Sequence, residues 1–297
     1  MSTSTKILIG VFVLLAVAAY FLLPSGKERE ASYKSAEINL AIDSASVAKI
    51  EIQRPGKSVS MENIGGKWRI TSPMQCAANT SSITELISGL HKLKVGSLIS
   101  SNPEKQSLFQ VDSTGSRVTL TERSGKTTGL IVGKMGPSYS DVYFRLPESK
   151  DVYLGEGINS WTVNQELKDW RDKTIFSASP DSINELDLRY RGKTFLLQRD
   201  STAWKYGKDS IDANAMTSML RVLTGLHADD FVDTLYQPKT QAFEIRVRSS
   251  GEADLRFFPQ PPDSSKYFVQ TSESAQGFTL NKWTVQELLK PIEKYQK

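Results

Sequence analysis

One stretch of this sequence is written twice, 136 residues apart, and no other feature restricts the fold as much. Val47-Ala48-Lys49-Ile50-Glu51-Ile52 has its counterpart in Ile183-Asn184-Glu185-Leu186-Asp187-Leu188. Both alternate apolar and polar side chains, as a half-buried strand requires. A Gly-Lys turn follows in each copy, Gly56-Lys57 and Gly192-Lys193, then a second strand, then a tryptophan strand around Trp68 and Trp204. A helix is predicted next. In the first copy it covers about 79–90, with Ile83, Leu86, Ile87 and Leu90 on one face; in the second it covers about 212–226, with Asp212 as N-cap. Both are expected to end in Gly-Leu-His, at His91 and His227.

Beyond the helices the offset drifts. Val118-Thr119-Leu120-Thr121 aligns with Phe243-Glu244-Ile245-Arg246, and Ser124-Gly125 with Ser250-Gly251. Val142-Tyr143-Phe144 resembles Lys266-Tyr267-Phe268, and Trp161-Thr162-Val163 and Trp283-Thr284-Val285 each open a closing helix. Each unit therefore reads as three antiparallel strands, a helix, about four strands in hairpins and a final helix. The fold class expected is α+β, two tandem copies of an antiparallel-sheet-plus-helices unit, at 46–176 and 177–297.

Ahead of the repeats lies an apolar run of 17 uncharged residues, from Ile7 through Leu15 to Leu23. As a helix it spans roughly 26 Å, close to the hydrocarbon thickness of a bilayer. Tyr20 and Phe21 stand where interfacial aromatics are favoured, and Pro24-Ser25-Gly26 ends the run. Ala16-Val17-Ala18 resembles a signal-peptide cleavage site, but five more apolar residues follow it, which suits an uncleaved anchor better. The expected organisation is an anchor over 1–24 and a polar tether over 25–45. Lysine and arginine flank both sides of the run, so charge does not decide the orientation. The default places the body outside the cytoplasm on a single-pass inner-membrane protein.

Residues that resemble chemistry recur as scaffold. Gly-Lys-Ser/Thr occurs at Gly56, Gly125 and Gly192, but the glycine a phosphate loop needs upstream is replaced by Glu51, Leu120 and Asp187, and strand-like sequence follows. No nucleotide is expected. Net charge is +4 with no basic run, so nucleic acid is not expected either. The single cysteine, Cys76, and two histidines are too few for a zinc site without using nearly all of them. His91 and His227 are assigned to helix C-terminal capping. Trp68, Trp204, Trp161 and Trp283 are assigned to core or staple positions, and Trp170, which has no repeat partner, is expected at the surface. Tyr139, Tyr143 and Tyr153 fall in the hairpin region, and Asp229-Asp230 reads as a solvated turn. No catalytic, cofactor or metal residue is predicted.

Val47–Ile52, Gly65-Gly66-Lys67-Trp68-Arg69-Ile70-Thr71-Ser72-Pro73, Ser101-Asn102-Pro103-Glu104 and Arg171-Asp172-Lys173-Thr174 resemble the bacterial family called domain of unknown function 4340. The resemblance covers nearly all of the chain after Ser44, and it implies an N-terminal membrane helix ahead of the strand, Gly-Gly-x-Trp, helix unit. It also implies an accessory role beside ABC-type transporters, including gliding-motility systems, with no catalytic residues to carry over. The second copy departs from the pattern, with Ser201-Thr202 in place of Gly65-Gly66 and Asp209 in place of Pro73. Three functions follow as expectations: a non-enzymatic, membrane-tethered envelope protein acting by protein contact; an envelope glycan- or lipid-binding module using exposed aromatics; and, third, a hydrolase centred on Cys76 or a histidine.

Overall fold

A computed structural model describes residues 40–201, 203–232, 240–260 and 265–296. The run from Ile7 to Leu23 and most of the tether lie outside these residues. Among the described residues no helix is long and apolar enough to cross a membrane. The chain divides into two compact units, Met1–Gln75 with Thr80–Glu166, and Cys76–Asn79 with Leu167–Lys297.

The first unit contains β1 (Val47–Arg54), β2 (Lys57–Ile64), β3 (Lys67–Ser72) and helix α1 (Thr80–His91); the short β4 (Cys76–Ala77) before α1 belongs to the second unit. Then come β5 (Lys94–Ser100), β6 (Ser116–Glu122), β7 (Thr127–Met135), β8 (Asp141–Arg145), β9 (Val152–Glu156) and helix α2 (Ser160–Val163). Besides Cys76–Asn79, the second unit contains α3 (Leu167–Trp170) and β10 (Thr174–Ser177). It continues through β11 (Glu185–Tyr190), β12 (Lys193–Asp200), β13 (Ala203–Tyr206), β14 (Asp209–Ser210), α4 (Ala213–Leu223), β15 (Gly225–His227) and β16 (Asp230–Val232). β17 (Phe243–Arg248), β18 (Glu252–Pro259), β19 (Lys266–Thr271), β20 (Ser274–Asn281) and α5 (Lys282–Leu289) complete it.

Eight strands of the first unit run in the order β3-β2-β1-β6-β7-β8-β9-β5. Eight of the second run β13-β12-β11-β17-β18-β19-β20-β16, the same order strand for strand, with β14 outside β13. All these pairings are antiparallel. Antiparallel sheets carrying helices make the fold α+β. The Gly-Lys tripeptides are hairpin turns: Gly56, Gly125 and Gly192 have φ of +72°, +86° and +75°, and each is followed directly or one residue later by a strand rather than a helix.

Three features differ from the sequence expectation. First, β5 and β16 follow the first helix of each unit and close the far edge of the sheet; their weak alternation hides them. Second, Ile52 pairs with Val118, while its counterpart Leu188 pairs with Ile245. Val118 thus occupies the place of Ile245, not Phe243. A slip of two residues keeps the same face inward, so alternation alone cannot detect it. Third, only α1 ends at Gly-Leu-His. Helix α4 stops at Leu223, where Thr224 donates both its backbone N–H and its hydroxyl to the Leu220 carbonyl, at 2.9 and 2.7 Å. Gly225–His227 then becomes a strand because β10 offers a partner, with Phe176 opposite Leu226 and Ser177 opposite Gly225.

In the second unit one apolar cluster joins sheet and helices. Leu186, Leu188, Ile245, Val247, Leu255 and Phe257 meet Met216, Met219 and Leu223 of α4 and Val285 and Leu288 of α5. Each such side chain contributes roughly 1.5–3 kcal/mol on burial. Phe243 and Phe257 stack across strands with centroids 4.0 Å apart. In the first unit the predicted face of α1, Ile83, Leu86, Ile87 and Leu90, is buried.

The outward face of the second sheet satisfies itself electrostatically. Three cross-strand rows alternate in sign: Glu185–Arg248–Glu252, Asp187–Arg246–Asp254 and Arg189–Glu244–Arg256. Arg246 Nε lies 2.7 Å from Asp254 and 3.1 Å from Glu252, and Glu244 sits 3.9 Å from Arg189 and 3.6 Å from Arg256. Single exposed pairs are worth little, but opposite charges facing each other across strands favour this register over a slipped one.

Candidate contact site

Two segments place apolar side chains in water on rigid supports. The first recurs in both units. Asn159 Oδ1 accepts from the Thr162 amide at 2.8 Å and from its hydroxyl at 3.0 Å, capping α2. Asn281 does the same for α5, accepting from Thr284 at 2.9 and 3.2 Å. The shared local sequence is Asn-x-Trp-Thr-Val. With the cap fixed, Val163 and Val285 turn into the core and the tryptophan two residues after the Asn turns out. Trp161 is 79% exposed and Trp283 is 61% exposed. The assignment of these two residues to core or staple positions is therefore corrected: at the second position of the capped turn a side chain faces away from the sheet.

Each support is braced. Arg54 donates through Nη1 and Nη2 to the Asn164 and Gln165 carbonyls, both at 2.7 Å, holding the chain where it leaves α2. Asp229 accepts from the Asn281 amide at 2.7 Å and from its side chain at 3.0 Å. Loss of either cap by Asn159→Ala or Asn281→Ala is expected to cost about 1 kcal/mol, read as a lower urea midpoint with an unchanged slope.

The second segment is the excursion joining β5 to β6. Asn102 Oδ1 accepts from the Glu104 amide at 3.0 Å, starting a turn of 3₁₀-helix at Pro103, and a second turn covers Ser107–Phe109. Gln110 takes a left-handed φ of 55°, which returns the chain so that Val111 is fully buried with Ile131 and Val152. Phe109 packs on Tyr143, centroids 4.8 Å apart, with Lys134 Nζ 5.8 and 5.9 Å from the two rings. The excursion lies directly on Gly133: a Cβ there would stand 2.1 Å from the Phe109 carbonyl oxygen. Arg145 Nε donates to the Val111 carbonyl at 2.6 Å, and burial lowers its pKa from the usual value. The Thr114 hydroxyl and amide donate to Asp112 and hold its carboxyl below the usual range. On this clamped base Leu108 is 60% exposed. Tyr139, at the tip of the β7–β8 hairpin, is 87% exposed, while Tyr143 is half-buried and Tyr153 is buried.

The other sequence candidates serve the scaffold. Trp68 and Trp204 are buried in equivalent strands. Trp170, expected at the surface, is buried. It sits on α3, and its carbonyl accepts from the Asn79 amide at 2.8 Å, which draws it into the second unit. Arg171 beside it is also buried, with its guanidinium 3.6 Å above the Phe231 ring and Nε 2.9 Å from Gln276 Oε1. The two histidines do not share a role. His91 Nδ1 lies 2.8 Å from the Ile42 carbonyl, tying incoming chain to α1 rather than closing the helix. His227 is in a strand, with Nδ1 3.5 Å from the Thr174 hydroxyl. Cys76 is buried, 3% exposed, and so closed to a substrate. Asp229 braces Asn281, while Asp230 lies 3.9 Å from Lys168. Among the described residues no group of three or more His, Cys, Asp or Glu is placed to hold a metal.

The family described as Domain of unknown function (DUF4340) matches residues 68–244, from the first tryptophan strand into β17. No curated protein and no solved structure matches the chain.

Proposed function

The chain belongs to the family of domain of unknown function 4340, and we propose that it is a non-enzymatic, membrane-tethered envelope protein that works by protein contact. In this reading the run from Ile7 to Leu23 is the anchor and the body stands on the extracytoplasmic side of the inner membrane. The partners belong to an ABC-type transport or gliding-type complex. The two units are tandem copies of one fold, a reading supported by their identical strand order.

The observation that carries the contact role is Leu108. A large aliphatic side chain is held in water on a loop that is capped, packed and clamped at every side. Rigid presentation of this kind lowers the ordering cost of binding. The test is purification of the tagged full chain from its own membranes, with mass spectrometry of co-purifying proteins, in parallel with Leu108→Asp. The same partner is expected with the wild type and lost at least tenfold with the variant. Recovery of the wild type alone would contradict the role.

A lipid- or glycan-binding role is favoured by a different observation, the exposed indoles of Trp161 and Trp283. Contact with a partner through Leu108 and contact with an envelope surface through the tryptophans are compatible in one protein.

A further inference from the structure

We propose that Trp161 and Trp283 are interfacial anchors, each holding its unit against the surface of the bilayer to which the chain is tethered. The proposal rests on the reading of Ile7 to Leu23 as an anchor. The same capped motif presents the same side chain in both units, and in each the valine two residues later is buried while the indole stays out. Leaving so much apolar area in water twice, on supports that other side chains brace, points to a surface that covers it.

A bilayer fits better than a small ligand. A site for a sugar or lipid head encloses 70–90% of its ligand, roughly, and needs walls. An indole that is 79% exposed has no walls beside it. What suits it is an extended, soft surface with an apolar side and a polar side. The membrane interface is such a surface, accepting the ring body and the indole N–H together. In the second unit exposed Lys282 precedes Trp283 and exposed Lys266 is paired with Asn281, with the Asp229 carboxylate bonded to Asn281 beside them. Lysines beside an interfacial tryptophan meet anionic headgroups.

The length of chain ahead of the body supplies the occupant. Residues 24–39 connect the apolar run to Leu40, and fully extended they reach at most about 55 Å. An anchored body therefore never leaves the vicinity of its bilayer. Weak contacts then act at a high effective concentration.

The test uses the full chain reconstituted in vesicles of phosphatidylcholine and phosphatidylglycerol, with and without bromine on the acyl chains. Tryptophan fluorescence is the readout. Trp68, Trp170 and Trp204 are buried in protein and supply the unquenched background. Brominated lipid is expected to quench the wild type, to quench Trp161→Gln and Trp283→Gln less, and to leave the double variant unquenched. Circular dichroism shows whether each variant keeps its fold. Equal quenching of wild type and double variant overturns the proposal. So does protection of the two indoles from aqueous iodide in native membranes but not in pure lipid, because a protein partner then covers them. Flotation after alkaline extraction separates the premise: a chain that does not float with the vesicles refutes the anchor itself, whereas one that floats without quenching refutes only the docking.

Discussion

Trp170→Ala is expected to destabilise the second unit by about 3–5 kcal/mol, whereas Trp161→Ala is expected to stay within about 0.5 kcal/mol of wild type. The two residues are nine positions apart and chemically identical. Trp170 is 1% exposed, so its removal forfeits transfer energy and leaves a cavity among residues that cannot fully collapse. It also loosens Arg171, whose guanidinium is stacked on Phe231 and hydrogen-bonded to Gln276 only while that segment stays in place. Domain stabilities of about 5–15 kcal/mol leave little margin for such a loss. Urea denaturation followed by circular dichroism measures both variants. Similar effects from the two would mean that the placement of one of them is wrong.

Gly133→Ala is expected to lift the Pro103–Val111 excursion from the sheet. The added methyl would lie 2.1 Å from a backbone carbonyl oxygen and 2.7 Å from Val111 Cγ1, and backbone cannot rotate away as a flexible side chain does. The cost expected is about 1–3 kcal/mol, with strain shared between β7 and the excursion. Hydrogen exchange localises it: amide protection falls over 103–111, while β1, β2 and β6 keep theirs. Gly251→Ala is the control, since a Cβ there meets nothing within 4 Å. Loss of protection spread evenly through the first unit would contradict the local account. The variant also links structure to role, because a displaced excursion no longer presents Leu108.

Much of the scaffold is legible in the residues themselves. Lys49-Ile50-Glu51-Ile52 and Glu185-Leu186-Asp187-Leu188 alternate strictly, and both form interior strands of their sheets, β1 and β11. The Ile83, Leu86, Ile87, Leu90 spacing yields a helix with that face buried. Asp212 caps α4, accepting from the Ala215 amide at 2.8 Å. What escapes is whatever depends on a partner distant in sequence. Gly225-Leu226-His227 has the same letters as the end of α1 but meets β10 and becomes a strand. Trp161 and Trp283 carry the composition of core residues, and only the phase set by Asn159 and Asn281 turns them outward. That signal was available: an Asn two residues before each tryptophan, with Thr following, is a helix start. The excursion was not readable, because its packing depends on Gly133, and a glycine in a strand says only that something approaches. The charge rows of the second sheet were visible as Glu-x-Asp-x-Arg, Glu-x-Arg-x-Arg and Glu-x-Asp-x-Arg, but only the register shows that they neutralise one another.

The central claim is that the body works by contact through a surface built for it. In-cell photo-cross-linking tests it most directly, with a benzoylphenylalanine at position 108 of the full chain and, separately, at position 250 on the exposed β17–β18 turn. The account predicts one discrete protein adduct from position 108, absent from position 250 and abolished by Gly133→Ala in the same chain. No adduct from position 108, or the same adducts from both positions, would contradict it.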